Sequence, residues 1–460
     1  MKWSQRLAAA REQVPLAMVA LLVFIVLIAL TGGTSRPDSL SQALVRAISV
    51  VMIAGWAIAA PRARGRELLP GFAFLAALAL LMLVQLTPLP PDVWSGLAGR
   101  DFYRESAAAA GMAQPWRPIA LVPDRGWSSL FVLLVPLATL VGLAQLGSRR
   151  RTQLLLPLGL LALVSAVLGL AQLSGGQSSP LRVYEYSSDS YASGFFANRN
   201  HQALLLACAL PVLAAWATIP KLQPGAARLR GFGALGIGVF ILLMLPTTGS
   251  RAGLVLAGVG AVAALVIAAP DLIAAYRRLS RRRRRQLRWF VLAGAVAFVC
   301  VAIFFGRNES LHRLYGLDAR QDLRARTLPV VMQMLGTFFP AGIGFGGFDA
   351  VYRRFEPFDQ LSHYYLNQAH NDLLQIVIEG GVVGAALLGA VFLWWLWASW
   401  RAWRAEPSAE RQAARAASIV FGMAFLASAV DYPLRTPLMM VVMTIAGAWL
   451  LVPARRVADA

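Results

Sequence analysis

Cysteine and charge are both scarce in this chain of 460 residues: there are two cysteines, and charged side chains make up 14% of the total. Cys208 and Cys300 both fall inside apolar runs, where metal ligation lacks partners and a disulfide would have to join membrane helices. They read as packing residues. Four scattered histidines form no His/Asp/Glu cluster with ligand spacing, so no metal site and no cofactor is expected. Walker-type phosphate loops and Gly-x-Ser-x-Gly elbows are also absent. With 58% hydrophobic residues and a mean hydropathy of +0.60, the composition excludes an ordinary soluble domain.

Long apolar runs are what the sequence has in abundance. Stretches able to cross about 30 Å of hydrocarbon fall near 14–32, 40–60, 70–88, 128–147, 153–174, 200–219, 232–250, 252–270, 289–306, 372–400, 416–430 and 437–453. The expected fold is all-α, a single polytopic membrane domain over 1–460 with about 12 transmembrane helices. The last two runs are short, and the turn at Thr247–Gly253 is very tight. No small-residue cleavage site follows the first run, so it is expected to stay as a helix.

A net charge of +21 raises the question of nucleic acid, and its distribution answers it. With the N-terminus inside, the inside segments hold 26 basic and 6 acidic residues against 16 and 15 outside. Arg46 and Glu379 remain at membrane depth. This is the positive-inside pattern, with both termini cytoplasmic. The run Arg281–Arg285 reads as a stop-transfer signal touching anionic membrane lipids, with no interleaved aromatics for nucleic acid.

Three outside segments are long, near 89–127, 175–199 and 307–370. The third is expected to carry short amphipathic helices over the membrane surface, and a patterned loop of that length is usually functional. No repeat relates the two halves, which disfavours an inverted-repeat transporter.

Polar residues gather at four outside places. At Phe195–His201, the side chains of Asn198, Arg199, Asn200 and His201 can bind a sugar or headgroup, or simply anchor and cap a helix. In Thr247–Gly253, Arg251 either snorkels or grips an anion, for which a guanidinium is well shaped. The long loop carries Arg320, Arg324 and Arg326 ahead of the glycine-dense Pro340–Phe348, where the glycines permit close backbone approach or a hinge. His370 opens the fourth place, and Asn371, Gln375 and Glu379 follow at four-residue spacing as a polar stripe reaching roughly 12 Å. His370 is the one imidazole placed to move a proton, whereas His312 and His363 read as solvated loop residues.

These motifs, in this order over roughly 190–390, resemble the O-antigen ligase and polymerase superfamily of bacterial envelope glycosyltransferases. The likeness rests on Phe195–His201, on Ser250-Arg251 after a helix, on Arg326 ahead of Pro340–Phe348, and on His370-Asn371 leading into Leu374–Gly384. It implies a metal-independent enzyme of the inner membrane, active on the periplasmic side. Such an enzyme takes a glycan from undecaprenyl pyrophosphate and joins it to an acceptor glycan, either lipid A-core or a growing polysaccharide. By position, Arg251 and Arg326 would grip the pyrophosphate and His370 would activate the acceptor hydroxyl. Asn198, Arg199, Asn200, His201, Arg324, Asn371 and Gln375 would contact substrate, with Arg46 a second diphosphate contact. Ligase and polymerase share these signatures; a bicarbonate-type transporter and a non-catalytic scaffold are the readings of other classes. The segment 89–127 with Trp94, Trp116 and Trp127 matches no family motif, and Asp431–Arg435 is a candidate acceptor-specific turn.

The charge distribution makes a testable statement. Alkaline phosphatase fused after residue 190 or 355 should be active, and fused after residue 280 inactive; the reverse would invert the orientation.

Overall fold

The structure is a computed structural model that describes residues 15–59, 65–176, 178–185, 187, 188, 190–220, 224–306, 323–361 and 366–451. Arg320, His312 and His363 lie outside these residues, as do both termini. Almost everything described is helix: α1 Leu16–Thr31, α2 Leu40–Ala59, α3 Leu69–Leu86, α4 Pro91–Ser95, α5 Asp101–Ala109, α6 Pro123–Val132, α7 Leu134–Ala144, α8 Leu155–Ser174 and α9 Arg199–Ala217. The second half adds α10 Pro224–Met244, α11 Arg251–Arg277, α12 Arg281–Gly306, α13 Leu323–Phe338, α14 Phe348–Phe355, α15 Asp372–Arg404, α16 Ala409–Ser428 and α17 Pro437–Leu450. One small antiparallel pair joins β1 Pro88–Leu89 to β2 Arg117–Pro118.

Eight of these helical segments are long and apolar enough to cross a membrane, with α6 and α7 forming one segment. Helices α1 and α17 are apolar but shorter, α16 opens with the polar run Ala409–Arg415, and α12 begins with five arginines. Over its described residues each apolar run read from the sequence is mainly helical, while the count of twelve exceeds the eight that length and apolarity establish among the described residues.

Helix α9 is the central post, buried along most of its length and packed most extensively on α11. Small residues permit that approach: a Cβ on Gly253 would lie 2.4 Å from the Cβ of Ala203. The main core joins α1, α2, α7, α8, α9, α16 and α17.

A second, smaller core lies at the end that carries the long loops. It is made by Val330, Val331, Met334 and Phe338 of α13, Phe348, Val351 and Tyr352 of α14, and Leu366, Ala369 and Ile378. The 307–370 stretch is thus, over its described residues, a packed substructure rather than helices lying separately on a surface. Segment 88–120 is sewn onto it by Arg100, which is fully buried between Trp94 and Phe338. Its guanidinium donates to the carbonyls of Ala98, Ile119 and Gly342 at 3.2, 2.7 and 2.9 Å. Burial pushes its pKa down to about 10, so it remains charged at neutral pH. Trp94 Nε1 donates to the Pro118 carbonyl at 2.8 Å.

The glycine-dense loop is not a hinge. Helix α15 is broken at Gly381 (φ 60°, ψ −151°), and the loop docks into the break. Ile343 N donates to Ile378 O at 3.0 Å, Gly344 N to Glu379 O at 3.0 Å, and Val382 N to Pro340 O at 2.9 Å. A kinked helix leaves carbonyls without partners, and the loop supplies the missing donors. Only glycine fits at Gly381: besides its positive φ, a Cβ there would lie 2.2 Å from the Pro340 carbonyl oxygen. Gly381→Ala should therefore destabilise the protein by about 1–3 kcal/mol from backbone strain alone, and by more once the loop is displaced. Thermal unfolding in detergent measures it; an unchanged midpoint would contradict the docked-loop arrangement.

Candidate functional site

The site is built where α9 and α15 begin and the chain turns between α16 and α17. Asn198 caps α9, its side-chain oxygen accepting from Asn200 N at 2.8 Å. Asn371 caps α15 in the same way, accepting from Leu374 N at 3.0 Å. Each cap satisfies a backbone donor that the helix start leaves free, and thereby fixes where its neighbours point.

What these starts face is Asp431, buried in the α16–α17 turn. Its Oδ1 accepts from Tyr432 N at 2.9 Å and from Asn198 Nδ2 at 3.3 Å, and Asn200 Nδ2 donates to Oδ2. Two imidazoles complete the surround: His201 Nε2 and His370 Nδ1 each lie 3.6 Å from Oδ1. Burial raises the Asp431 pKa, but the neighbouring imidazoles outweigh it and hold the carboxyl well below its usual range. Both imidazoles pack edge-on against Tyr432, with centroids 5.2 and 4.9 Å away.

The two histidines differ in access. His201 is 1% exposed and enclosed, whereas the His370 side chain keeps 21% exposure. His370 also sits at φ +50°, the left-handed region that a side-chain-bearing residue rarely adopts. This costs about 1–2 kcal/mol, and in this conformation Nδ1 faces Asp431 while part of the ring stays exposed. A carboxylate facing one nitrogen of a partly exposed imidazole suits a positioned general base.

Arg251 is the first residue of α11, whose cap Ser250 accepts from Gly253 N at 2.9 Å. Its side chain is exposed. The Gly253–Ala203 contact holds this helix start against α9 one turn from Asn200. Arg199, beside it, stacks 3.8 Å over the Tyr191 ring. Arg326 is exposed on α13, and its charge acts on Tyr352 in the smaller core that also holds Leu366 and Ala369, just ahead of His370. The first, second and fourth motifs therefore meet, and the third lies on the adjoining core. For Arg324 the backbone is described and the side chain is not.

The polar stripe turns out to be structural below its first turn. Gln375 and Glu379 are fully buried. Gln375 Nε2 donates to Glu379 Oε1 at 3.1 Å, and its own oxygen accepts from Ala369 N at 2.8 Å. Glu379 also accepts from Gly346 N at 3.2 Å and Arg435 Nη2 at 3.0 Å. Arg435 Nε donates to Asp372 Oδ1 at 2.6 Å. Arg46, read as a diphosphate contact, donates instead to the Ser128 hydroxyl at 2.6 Å.

Sequence reasoning marked Asp431–Arg435 only as an acceptor-specific turn and missed the hub role of Asp431, Asp372 and the pairing role of Arg435, because their partners lie 56 to 233 residues away. The one local signal was a charged pair, Asp431 and Arg435, in a short turn between apolar runs.

Beside the site runs a cavity of about 650 Å³. One face of α3 (Pro70, Phe74, Leu78, Met82), the lower part of α15, and α17 line its apolar shaft, which follows α3 for roughly 18 Å. Its polar mouth includes Arg36, Arg125, Asn367, Gln368, Asp372 and Arg435.

Asp431→Asn should cost about 1–3 kcal/mol of stability near neutral pH by leaving buried donors half-served. The folded-state pKa is depressed, so the carboxylate's contribution is present above the unfolded value of about 3.9 and lost as pH falls through the lower folded one. The gap between wild type and variant should therefore close between pH 5 and strongly acid conditions. A gap constant to the lowest pH would contradict the depressed pKa.

No curated protein matches the chain. Residues 236–389, which hold Arg251, Arg326, His370, Asn371 and Gln375 but neither the α9 start nor Asp431, match the family model described as O-Antigen ligase. That match bears out the resemblance seen in the ordered motifs and places this stretch of the chain in the O-antigen ligase superfamily.

Proposed function

We propose that the protein is a periplasmic-face glycosyltransferase of the bacterial inner membrane, spanning it twelve times with both termini inside. It moves a glycan from undecaprenyl pyrophosphate to the hydroxyl of an acceptor sugar, without metal. The observation that supports this best is the gathering of His370, Asn198, Asn200 and His201 around one buried carboxylate, Asp431, beside the helix start that carries Arg251. A scaffold has no use for a partly exposed imidazole held in a left-handed backbone conformation against a buried carboxylate. A transporter site is expected at mid-membrane on broken helices. Here the break in α15, at Gly381, is filled by the protein's own loop.

The chemistry is a single displacement. The acceptor hydroxyl oxygen bonds to the anomeric carbon of the donor glycan as the bond from that carbon to the diphosphate oxygen breaks. The hydroxyl proton passes to the neutral imidazole of His370, and undecaprenyl pyrophosphate departs with the electron pair. Asp431 stabilises the imidazolium that forms. The guanidiniums of Arg251 and Arg326 stabilise charge gathering on the leaving diphosphate.

Replacing either arginine or His370 by alanine should lower transfer by at least about 100-fold with normal expression. The assay uses purified enzyme, undecaprenyl pyrophosphate-linked glycan, and lipid A-core as acceptor. Wild-type rates in all three variants would end the transfer reading. A ladder of products without added core would identify a polymerase.

A further inference from the structure

The cavity whose mouth reaches Asp372 is unassigned by the transfer mechanism, because Arg251, Arg326 and His370 are all absent from its described lining. Its shaft follows one face each of α3 and α17, with the α15 residues Leu387, Val391 and Trp394. It is a slot for a slender hydrocarbon chain, long enough to run well into the membrane.

The mouth decides which head that chain carries. Its described lining holds four carboxylates (Asp38, Asp349, Asp372, Glu379) against three guanidiniums (Arg36, Arg125, Arg435). Arg36 is paired to Asp38 at 2.8 Å, and Arg435 is shared between Asp372 and Glu379 at 2.6 and 3.0 Å. A diphosphate entering there would meet a surplus of like charge, with two of the three guanidiniums already engaged. A sugar would not. Paired carboxylates, together with the amides of Asn367 and Gln368 and the hydroxyls of Ser128 and Ser129, are donors and acceptors suited to neutral hydroxyl groups.

One acceptor in that mouth is left open. Asp372 is 2% exposed and lines the cavity, and while Oδ1 takes Arg435, Oδ2 has no hydrogen-bond partner. An unserved buried carboxylate oxygen is costly, and a ligand hydroxyl would relieve it. Asp372 stands two residues from His370, and its backbone N donates to the carbonyl of Asp431 at 3.2 Å. A hydroxyl held on Asp372 is thus held one residue contact away from the Asp431–His370 pair.

We propose that this cavity is the acceptor site, taking a sugar carried on a hydrocarbon chain. The chain lies in the α3–α15–α17 shaft, and Asp372 Oδ2 receives one sugar hydroxyl while a neighbouring hydroxyl meets His370. This deepens the transferase reading and rests on it for the word acceptor. Donor diphosphate and acceptor lipid then approach His370 from opposite sides, the first over α9 and α11, the second through the cavity.

The test reads occupancy without turnover, so it stands apart from the transfer assay. Full-length protein with Leu78→benzoylphenylalanine, in nanodiscs, is irradiated with radiolabelled farnesyl β-glucoside or with radiolabelled undecaprenyl pyrophosphate. The glucoside should label the protein, and unlabelled undecaprenyl pyrophosphate should not displace it. Asp372→Asn should weaken labelling about tenfold, the effect of losing one hydrogen bond to a charged group. Ala448→Trp, or Thr444→Leu if the larger residue prevents folding, should weaken it by filling the shaft while the head site stays intact. Stronger labelling by undecaprenyl pyrophosphate would make the cavity the donor's and overturn the proposal. So would labelling of bilayer phospholipid alone, or labelling indifferent to Asp372→Asn.

Discussion

Everything on the loop-rich end of this protein is arranged around one buried carboxylate, Glu379. A charge at that depth costs several kcal/mol unless it is fully paired, and Glu379 is paired on every side. Its side chain takes Gly346 N, Gln375 and Arg435, while its backbone carbonyl takes Gly344 N and the side chain of Gln85. Those five partners come from α3, the glycine loop, α15 and the α16–α17 turn. Satisfying one residue therefore fixes the relative positions of four parts of the chain. Removing one partner leaves the others facing an uncompensated charge, which makes the arrangement all-or-none.

The site inherits its rigidity from that arrangement. Arg435 reaches from Glu379 to Asp372, whose backbone is tied to Asp431, and Asp431 in turn holds the start of α9 and the ring of His370. The path from structural carboxylate to proposed base passes through only three residues. It explains why the α16–α17 turn matters although the matched family region ends at residue 389. The Gly253–Ala203 contact does the same for Arg251, since only a residue without a side chain lets the two helix starts come together.

Sequence alone determined the class of the fold and the position of each apolar helix, because burial in hydrocarbon demands runs of a fixed length and composition that can be read locally. It also determined four polar places and their order, since a polar residue at a membrane boundary stands out against its neighbours. That order was enough to suggest the family. Helices α16 and α17 were legible but short, and for the same reason their turn was underrated.

Tertiary structure alone decided which polar residues face a ligand and which hold the protein together. Gln375 and Glu379 share a helix face with Asn371, yet Gln375 is tied to Ala369 and Glu379 to the docked loop, and no periodicity distinguishes a stripe lining a pocket from one bonded to another segment. The glycines of 340–348 were legible as places of close approach, but their target, a break in α15, lies more than thirty residues onward. Asp431 was not legible at all as a hub, because a carboxylate's partners are set by what packs against it. Here they are brought from 61 to 233 residues away. The sequence specifies which chemistry is available; folding brings Asp431 to His370 and seals Glu379 from the bilayer.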